Sequence, residues 1–159
     1  MNKRHFLSVV LAALLLTGCA AASKQAPALH DDTAFYLARF DKVWDTVITT
    51  LKEESIPIDS MDKSRGVIRT KFVNYSVGPQ AHHELEKIAE KPSATRLAIW
   101  SQAGYTLSIL VTPVNDMSTK TRVTAHIEAY DRNVSQQWHE CISKGVIESR
   151  IIERIRAQL

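Results

Sequence analysis

Two neighbouring stretches of this chain leave the backbone little choice. In YTLSILVTP, Tyr105, Leu107, Ile109 and Val111 alternate with Thr106, Ser108 and Thr112. In RVTAHIEAY, Val123, Ala125, Ile127 and Ala129 alternate with Thr124, His126, Glu128 and Tyr130. Side chains on a strand point to opposite faces with a period of two, so each stretch reads as a strand with one apolar and one polar side. The polar NDMSTK segment between them is a short connection, of the kind that joins antiparallel strands. The rest of the chain must then cover one face of this pair and can leave the other wet.

The covering elements lie on either side in sequence. Phe40, Val43, Trp44, Val47, Ile48 and Leu51 recur at helical spacing and make one apolar stripe, which reads Trp44 as core. Asp41 is the expected cap of that helix, and Glu53 to Ser55 with Pro57 beyond mark its end. A second helix closes the chain, with Ser143 as the expected N-cap and Ile147, Ile151, Ile152, Ile155 and Leu159 as its apolar face. Between them lies a hairpin: a strand from Pro57 to Met61, a turn over Asp62 to Gly66, and a strand from Val67 to Val73. Ile68, Thr70 and Phe72 should share its inner face, and Arg69 and Lys71 its wet face. Asn74 to Ala94 is irregular. Pro79 can open a short helix over Gln80 to Glu90, which Pro92 would stop, and its sparse apolar content reads as a surface insertion. The expected fold is a single α+β domain in the order α-β-β-(insertion)-β-β-α. Its antiparallel sheet has four strands or slightly more, and two main helices pack on one face.

The N-terminus carries a different message. Lys3 and Arg4 precede the apolar run FLSVVLAALLL, Phe6 to Leu16. That run is shorter than the roughly 20 residues that span a bilayer core, and it has the layout of a secretory leader. It ends in Leu16-Thr17-Gly18-Cys19, which resembles the lipobox of bacterial lipoproteins. The resemblance implies cleavage between Gly18 and Cys19 and a covalent lipid on Cys19. Ala20 after the cysteine, rather than Asp, resembles lipoproteins sent on to the outer membrane of a Gram-negative envelope, here facing the periplasm. Several acyl chains, at about 0.8 kcal/mol per buried methylene, hold stably where one would not. The expected organisation is a signal peptide over residues 1–18, a lipidated N-terminus and flexible tether over 19–33, and a folded domain over 34–159. The leader holds Lys3 and Arg4, so the mature chain keeps 18 of the 20 basic residues against all 17 acids. With no concentrated Lys/Arg run, nothing in it points to nucleic acid.

The residues most like a reactive centre are in QQWHECISKG. With Cys19 lipidated, Cys141 is the one remaining thiol and has no disulfide partner in the chain. If the segment is extended, His139 and Cys141 share a face, but no local sequence supplies an orienting group or an oxyanion hole. It reads as packing, with Trp138 and Cys141 beside the terminal helix and His139 and Glu140 toward solvent. His82, His83, Glu84, His139 and Cys141 match no zinc-ligand spacing, and the glycines form no phosphate loop. The residues predict no catalytic centre, no metal and no cofactor beyond the lipid.

FDKVWDTVITTLKEESIPIDSMDKSRGVIRTKF, with the two later strands and the terminal helix, resembles the helix-grip domains of the lipoprotein component C of the β-barrel assembly machinery (BamC). Element order carries the likeness over most of the mature chain. At residue level it rests on the Val43-Trp44 helix, the Ile56-Pro57-Ile58 strand and the Asp62-Lys63-Ser64-Arg65-Gly66 turn. The resemblance implies a four- to six-stranded antiparallel sheet carrying two helices, and a setting in envelope assembly. That family has two such domains and a long unstructured segment, whereas this chain has room for one domain and a short tether. The expectation is a non-enzymatic, membrane-anchored interaction or scaffold domain that meets envelope proteins, with Tyr75, His82 and His83 of the insertion as contact residues. The alternative is a carrier of a lipid or other apolar ligand in a cavity between sheet and helix.

Overall fold

The computed structural model describes residues 32–92 and 97–159. The signal peptide, Gly18, Cys19 and nearly all of the tether lie outside the described residues. β6 (Trp100–Asn115) and β7 (Ser118–Asp131) are antiparallel, paired from Trp100 opposite Asp131 to Asn115 opposite Ser118 around a turn at Asp116-Met117. The alternation read from the sequence holds. Ala103, Tyr105, Leu107, Ile109 and Val111 of β6 and Val123, Ala125, Ile127 and Ala129 of β7 are all buried.

Six further strands complete an antiparallel sheet, in the order β2 (Ile58–Asp62), β3 (Val67–Thr70), β6, β7, β8 (Trp138–Ser143), β5 (Ala89–Glu90). β4 (Val73–Val77) pairs with β6 beside the end of β3, and β1 (Thr33–Tyr36) pairs with β7. The fold is α+β, as expected, with eight described strands and three helices. β1, β4 and β5 are five residues or fewer and, unlike the equally short β2 and β3, are not joined to a neighbouring strand by a recognisable turn.

α1 (Phe40–Glu53) buries Val43, Trp44, Val47 and Leu51, and α3 (Val146–Gln158) buries Ile147, Ile151, Ile152 and Ile155. These join the inner face of the sheet in one apolar cluster, each large side chain contributing about 1.5–3 kcal/mol. α2 (Ala81–Ile88) corrects the reading of a surface insertion. Its Ala81, Leu85 and Ile88 are 0, 0 and 1% exposed, and the helix packs on β6 and β4. Three apolar residues at i, i+4 and i+7 are enough to fix a helix of eight. No described helix is long and apolar enough to cross a membrane.

Three local expectations are corrected. Arg39, not Asp41, stands at the N-cap of α1, and Asp41 in the first turn pairs with Lys63 at 2.8 Å. α3 begins at Val146 after Gly145, whose φ is +76°, so Ser143 is not its N-cap. Ser143 Oγ instead accepts from the Gly145 N–H at 3.0 Å and donates to Glu148 Oε2 at 2.9 Å. Glu148 Oε1 accepts from the Ala125 N–H at 3.2 Å, beyond the last β7–β8 pair at Ile127 and Cys141. The carboxylate thus satisfies a buried strand donor where the partner strand has stopped.

Phe72 likewise leaves the face expected for it. β3 stops at Thr70, whose Oγ1 accepts from the Leu107 N–H at 2.8 Å, and the Lys71 N–H turns to Pro57 O. Pairing with β6 resumes at Val73 opposite Tyr105. This step takes Phe72 out of the Ile68–Thr70 row. Its ring covers Gly104, where a Cβ would stand 2.2 Å from Cζ of Phe72. Gly104 is opposite Glu128, an outward residue, so Phe72 lies on the outer face of the sheet.

Gly66 closes the β2–β3 turn with φ +68°, its carbonyl accepting from the Val111 N–H at 2.8 Å. A Cβ there would lie 1.9 Å from Val111 O. Gly66→Ala combines a left-handed backbone with a collision against main chain and should cost about 2–4 kcal/mol. Urea denaturation checks this: an unchanged midpoint would mean that the turn does not need glycine.

Candidate functional site

The helices cover one side of the sheet and leave the other open. Register places two outward rows side by side on the open face. Trp138 is opposite Tyr130, which is opposite Gln102; Glu140 is opposite Glu128, which is opposite Gly104. Phe72 occupies the side-chain space that Gly104 leaves empty, so three aromatic rings converge there. Phe72 meets Trp138 edge-on at 5.3 Å between ring centroids, and Tyr130 lies 5.6 Å from Trp138. Trp138 is 41% exposed, while Phe72 and Tyr130 are half-buried. Glu128 and Glu140 are exposed, and neither carboxylate has a hydrogen bond or ion pair among the described residues. Further along the face, a groove of about 380 Å³ is lined by polar side chains including Asp59, Arg69, Thr106, Ser108 and His126.

The QQWHECISKG segment becomes β8, which fixes its faces. His139 and Cys141 point inward and Trp138 and Glu140 outward, so the expected grouping of Trp138 with Cys141 is corrected. Residues three apart on a strand cannot share a face. The thiol and the imidazole do not meet either: the Cys141 Sγ proton is directed at the His139 carbonyl, 3.6 Å away. Burial pushes the Cys141 thiol up to about 11, against a smaller opposing effect of the Ala129 N–H.

The His139 ring is edge-on to Trp100 at 5.5 Å, and its Nε2 is 2.6 Å from Ser135 Oγ. Ser135 Oγ is in turn 3.1 Å from Asp131 Oδ2. The three residue types are those of a hydrolytic triad, but their order differs. A triad needs the imidazole between hydroxyl and carboxylate, and here the hydroxyl stands in the middle. Asp131 has a structural task instead. Fully buried, it accepts from the N–H groups of Ile99, Asn133, Val134 and Ser135 and so ties the β7–β8 loop to the start of β6. Burial alone would raise its pKa, but these donors together hold the carboxyl well below the usual range.

The residues singled out in the sequence are dispersed. Tyr75 is half-buried against the core, with its ring 6.4 Å from Tyr105. His82 and His83 are exposed on α2, and His82 Nε2 lies 3.0 Å from Lys91 Nζ and 3.5 Å from Glu86 Oε1. No hydrogen bond or ring contact among the described residues links Tyr75 to either histidine. No group of three or more His, Cys, Asp or Glu among the described residues is arranged to hold a metal ion. Gly18 and Cys19 lie outside the described residues. The aromatic site itself was missed, although the alternation of β7 turns Glu128 and Tyr130 outward and Gly104 interrupts an otherwise continuous strand.

Two measurements test this geometry. At pH 8 a small alkylating agent should modify Cys141 roughly a hundredfold more slowly than a free peptide thiol, a difference that denaturant removes. Equal rates in the folded protein would contradict the packing. Asp131 has a depressed folded-state pKa, so the stability it contributes is fully present above about pH 4 and is lost as pH falls through the folded value. Asp131→Asn should melt at a lower temperature than the parent at pH 7, and the gap should narrow by pH 3. A gap independent of pH would mean that the carboxylate charge is not what the loop binds.

No protein-family profile matches the chain, and no curated protein matches it. Among solved structures, the chain is similar to a DUF4468 family protein from Bacteroides ovatus, at 11% identity and a TM-score of 0.34. The match covers 68% of this chain and 58% of that one, so the chain spans just over half of the length of its structural neighbour.

Proposed function

We propose that this protein is a non-enzymatic lipoprotein of the Gram-negative envelope. Its lipid on Cys19 holds it at the outer membrane facing the periplasm, and its folded domain serves as an interaction module. The observation that carries the reading is the open sheet face with Phe72, Tyr130 and Trp138 gathered on it, while the other face is sheathed by three helices. Exposed aromatic side chains on a rigid scaffold are a frequent feature of protein-contact surfaces. The space between sheet and helices is taken by Trp44, Tyr105, Ile127, Ile151 and their neighbours, which favours contact over carriage of an apolar ligand. The likeness to component C in the Val43-Trp44 helix and the Asp62–Gly66 turn supports envelope assembly as the setting. His82 and His83 on the exposed side of α2 form a second, separate surface for contact.

Photocrosslinking in intact cells tests the reading. A photoreactive residue in place of Trp138 should give a discrete adduct in the membrane fraction, and the adduct should weaken when Tyr130→Ala is added. Adducts from position 83 and none from position 138 would move the contact to α2. Cys19→Ala should release the protein from membranes; a protein that stays bound would remove the lipid anchor from the proposal.

A further inference from the structure

The open face carries a charge arrangement that the fold does not need. Glu128 and Glu140 are directly opposite each other on β7 and β8. Like charges at opposed positions of neighbouring strands destabilise a sheet. Here the repulsion is not relieved, because neither carboxylate has a hydrogen bond or a cationic partner within 4 Å among the described residues. Asp45, Asp59, Glu90 and Asp116 are also exposed without a cationic partner among the described residues, and what sets Glu128 and Glu140 apart is that they stand opposite one another in register.

The surroundings of the pair are equally specific. Trp138 and Tyr130 form the adjoining cross-strand row, and Phe72 covers the Gly104 position directly across from Glu128. Three π-systems and two carboxylates therefore share one exposed surface about three strands wide. A cation is attracted to aromatic faces and to carboxylates alike, and lysine and arginine side chains also bring an apolar stem to lie along the rings. Resting on the reading of this face as an interaction surface, we infer that its partner is a basic protein segment, which lays lysine or arginine side chains between the Glu128–Glu140 pair and the Phe72–Tyr130–Trp138 rings. Charge complementarity selects this occupant. An acidic segment would meet two like charges, an apolar one would leave both carboxylates desolvated without partners, and a neutral glycan would use the rings but not the pair.

The test uses the full chain in detergent micelles, labelled with fluorotryptophan. Trp138 reports on the site, while Trp44 and Trp100, each 4% exposed, serve as internal controls. The probe is a short peptide alternating serine with lysine or arginine, compared with the same peptide carrying glutamine at the basic positions. The basic peptide should move the Trp138 resonance alone and bind roughly tenfold more tightly than its glutamine counterpart, with the difference shrinking in high salt. The double substitution Glu128→Gln, Glu140→Gln should weaken binding roughly tenfold and yet raise the melting temperature by about 1–4 °C, since it removes a repulsion. A purely structural role for the pair would move both quantities in the same direction. Equal response to both peptides, a response only to a neutral oligosaccharide, a Trp138 shift that depends on protein concentration alone, or unchanged binding by the double variant would each overturn the inference. The assay does not depend on the Cys19 lipid. Loss of peptide binding with crosslinks at position 138 intact would therefore reject the basic partner and leave the interaction surface standing.

Discussion

The register of β6 against β7 is the constraint on which the rest of the molecule depends. It runs from Trp100 opposite Asp131 to Asn115 opposite Ser118, and β3, β4, β1 and β8 all pair with one of these two strands. A shift of one residue would carry one strand's apolar set to the solvent side, either Tyr105, Leu107 and Ile109 or Val123 and Ile127, so the buried apolar surface itself holds the register. Each end of the pair is then secured by a polar contact. At one end Val111 receives the β2–β3 turn through the Gly66 carbonyl, and at the other Asp131 gathers the β7–β8 loop and the N–H of Ile99.

Elements with a long period were legible, and those that depend on a neighbour were not. The α1 stripe and the alternation of β6 and β7 need no partner to be recognised, because their periodicity extends over many residues. α2 presents only Ala81, Leu85 and Ile88, and what makes them core is the presence of β6 and β4 beneath them, a tertiary fact. β1, β4 and β5 exist as strands only because β7, β6 and β8 offer them an edge. The open-face site was half legible. The outward set of β7 contains Glu128 and Tyr130, but their partners come from β8 and from the step after Thr70. That step depends on the Thr70 hydroxyl taking the Leu107 N–H, which no local pattern announces.

Three places where this chain breaks local rules coincide with that site. A glycine within a strand weakens it, an exposed tryptophan is unusual, and opposed glutamates repel. Gly104, Trp138 and the Glu128–Glu140 pair fall on the same few square turns of the sheet. Gly104 is explained by Phe72, whose ring takes the space that a Cβ would fill. The stability lost at these positions is supplied by the opposite face, where the isoleucines of α3 and the α1 stripe make a continuous core. A sheet sheathed on one side can carry unfavourable groups on the other without losing its register.

Residues 138, 140 and 142 face out because residues 139, 141 and 143 face in, and which set faces which way is decided by the length of the loop between β7 and β8. A loop one residue longer or shorter would put Trp138 and Glu140 into the core and turn the Cys141 thiol out to solvent. Asp131 makes that loop a fixed length by binding the N–H groups of Asn133, Val134 and Ser135 at once, and His139 adds a clasp through Ser135. The Asp131–Ser135–His139 chain thus acts as a spacer. It keeps the thiol buried and the three rings together, so the residues of this chain that look most like chemistry decide which side chains of β8 face outward.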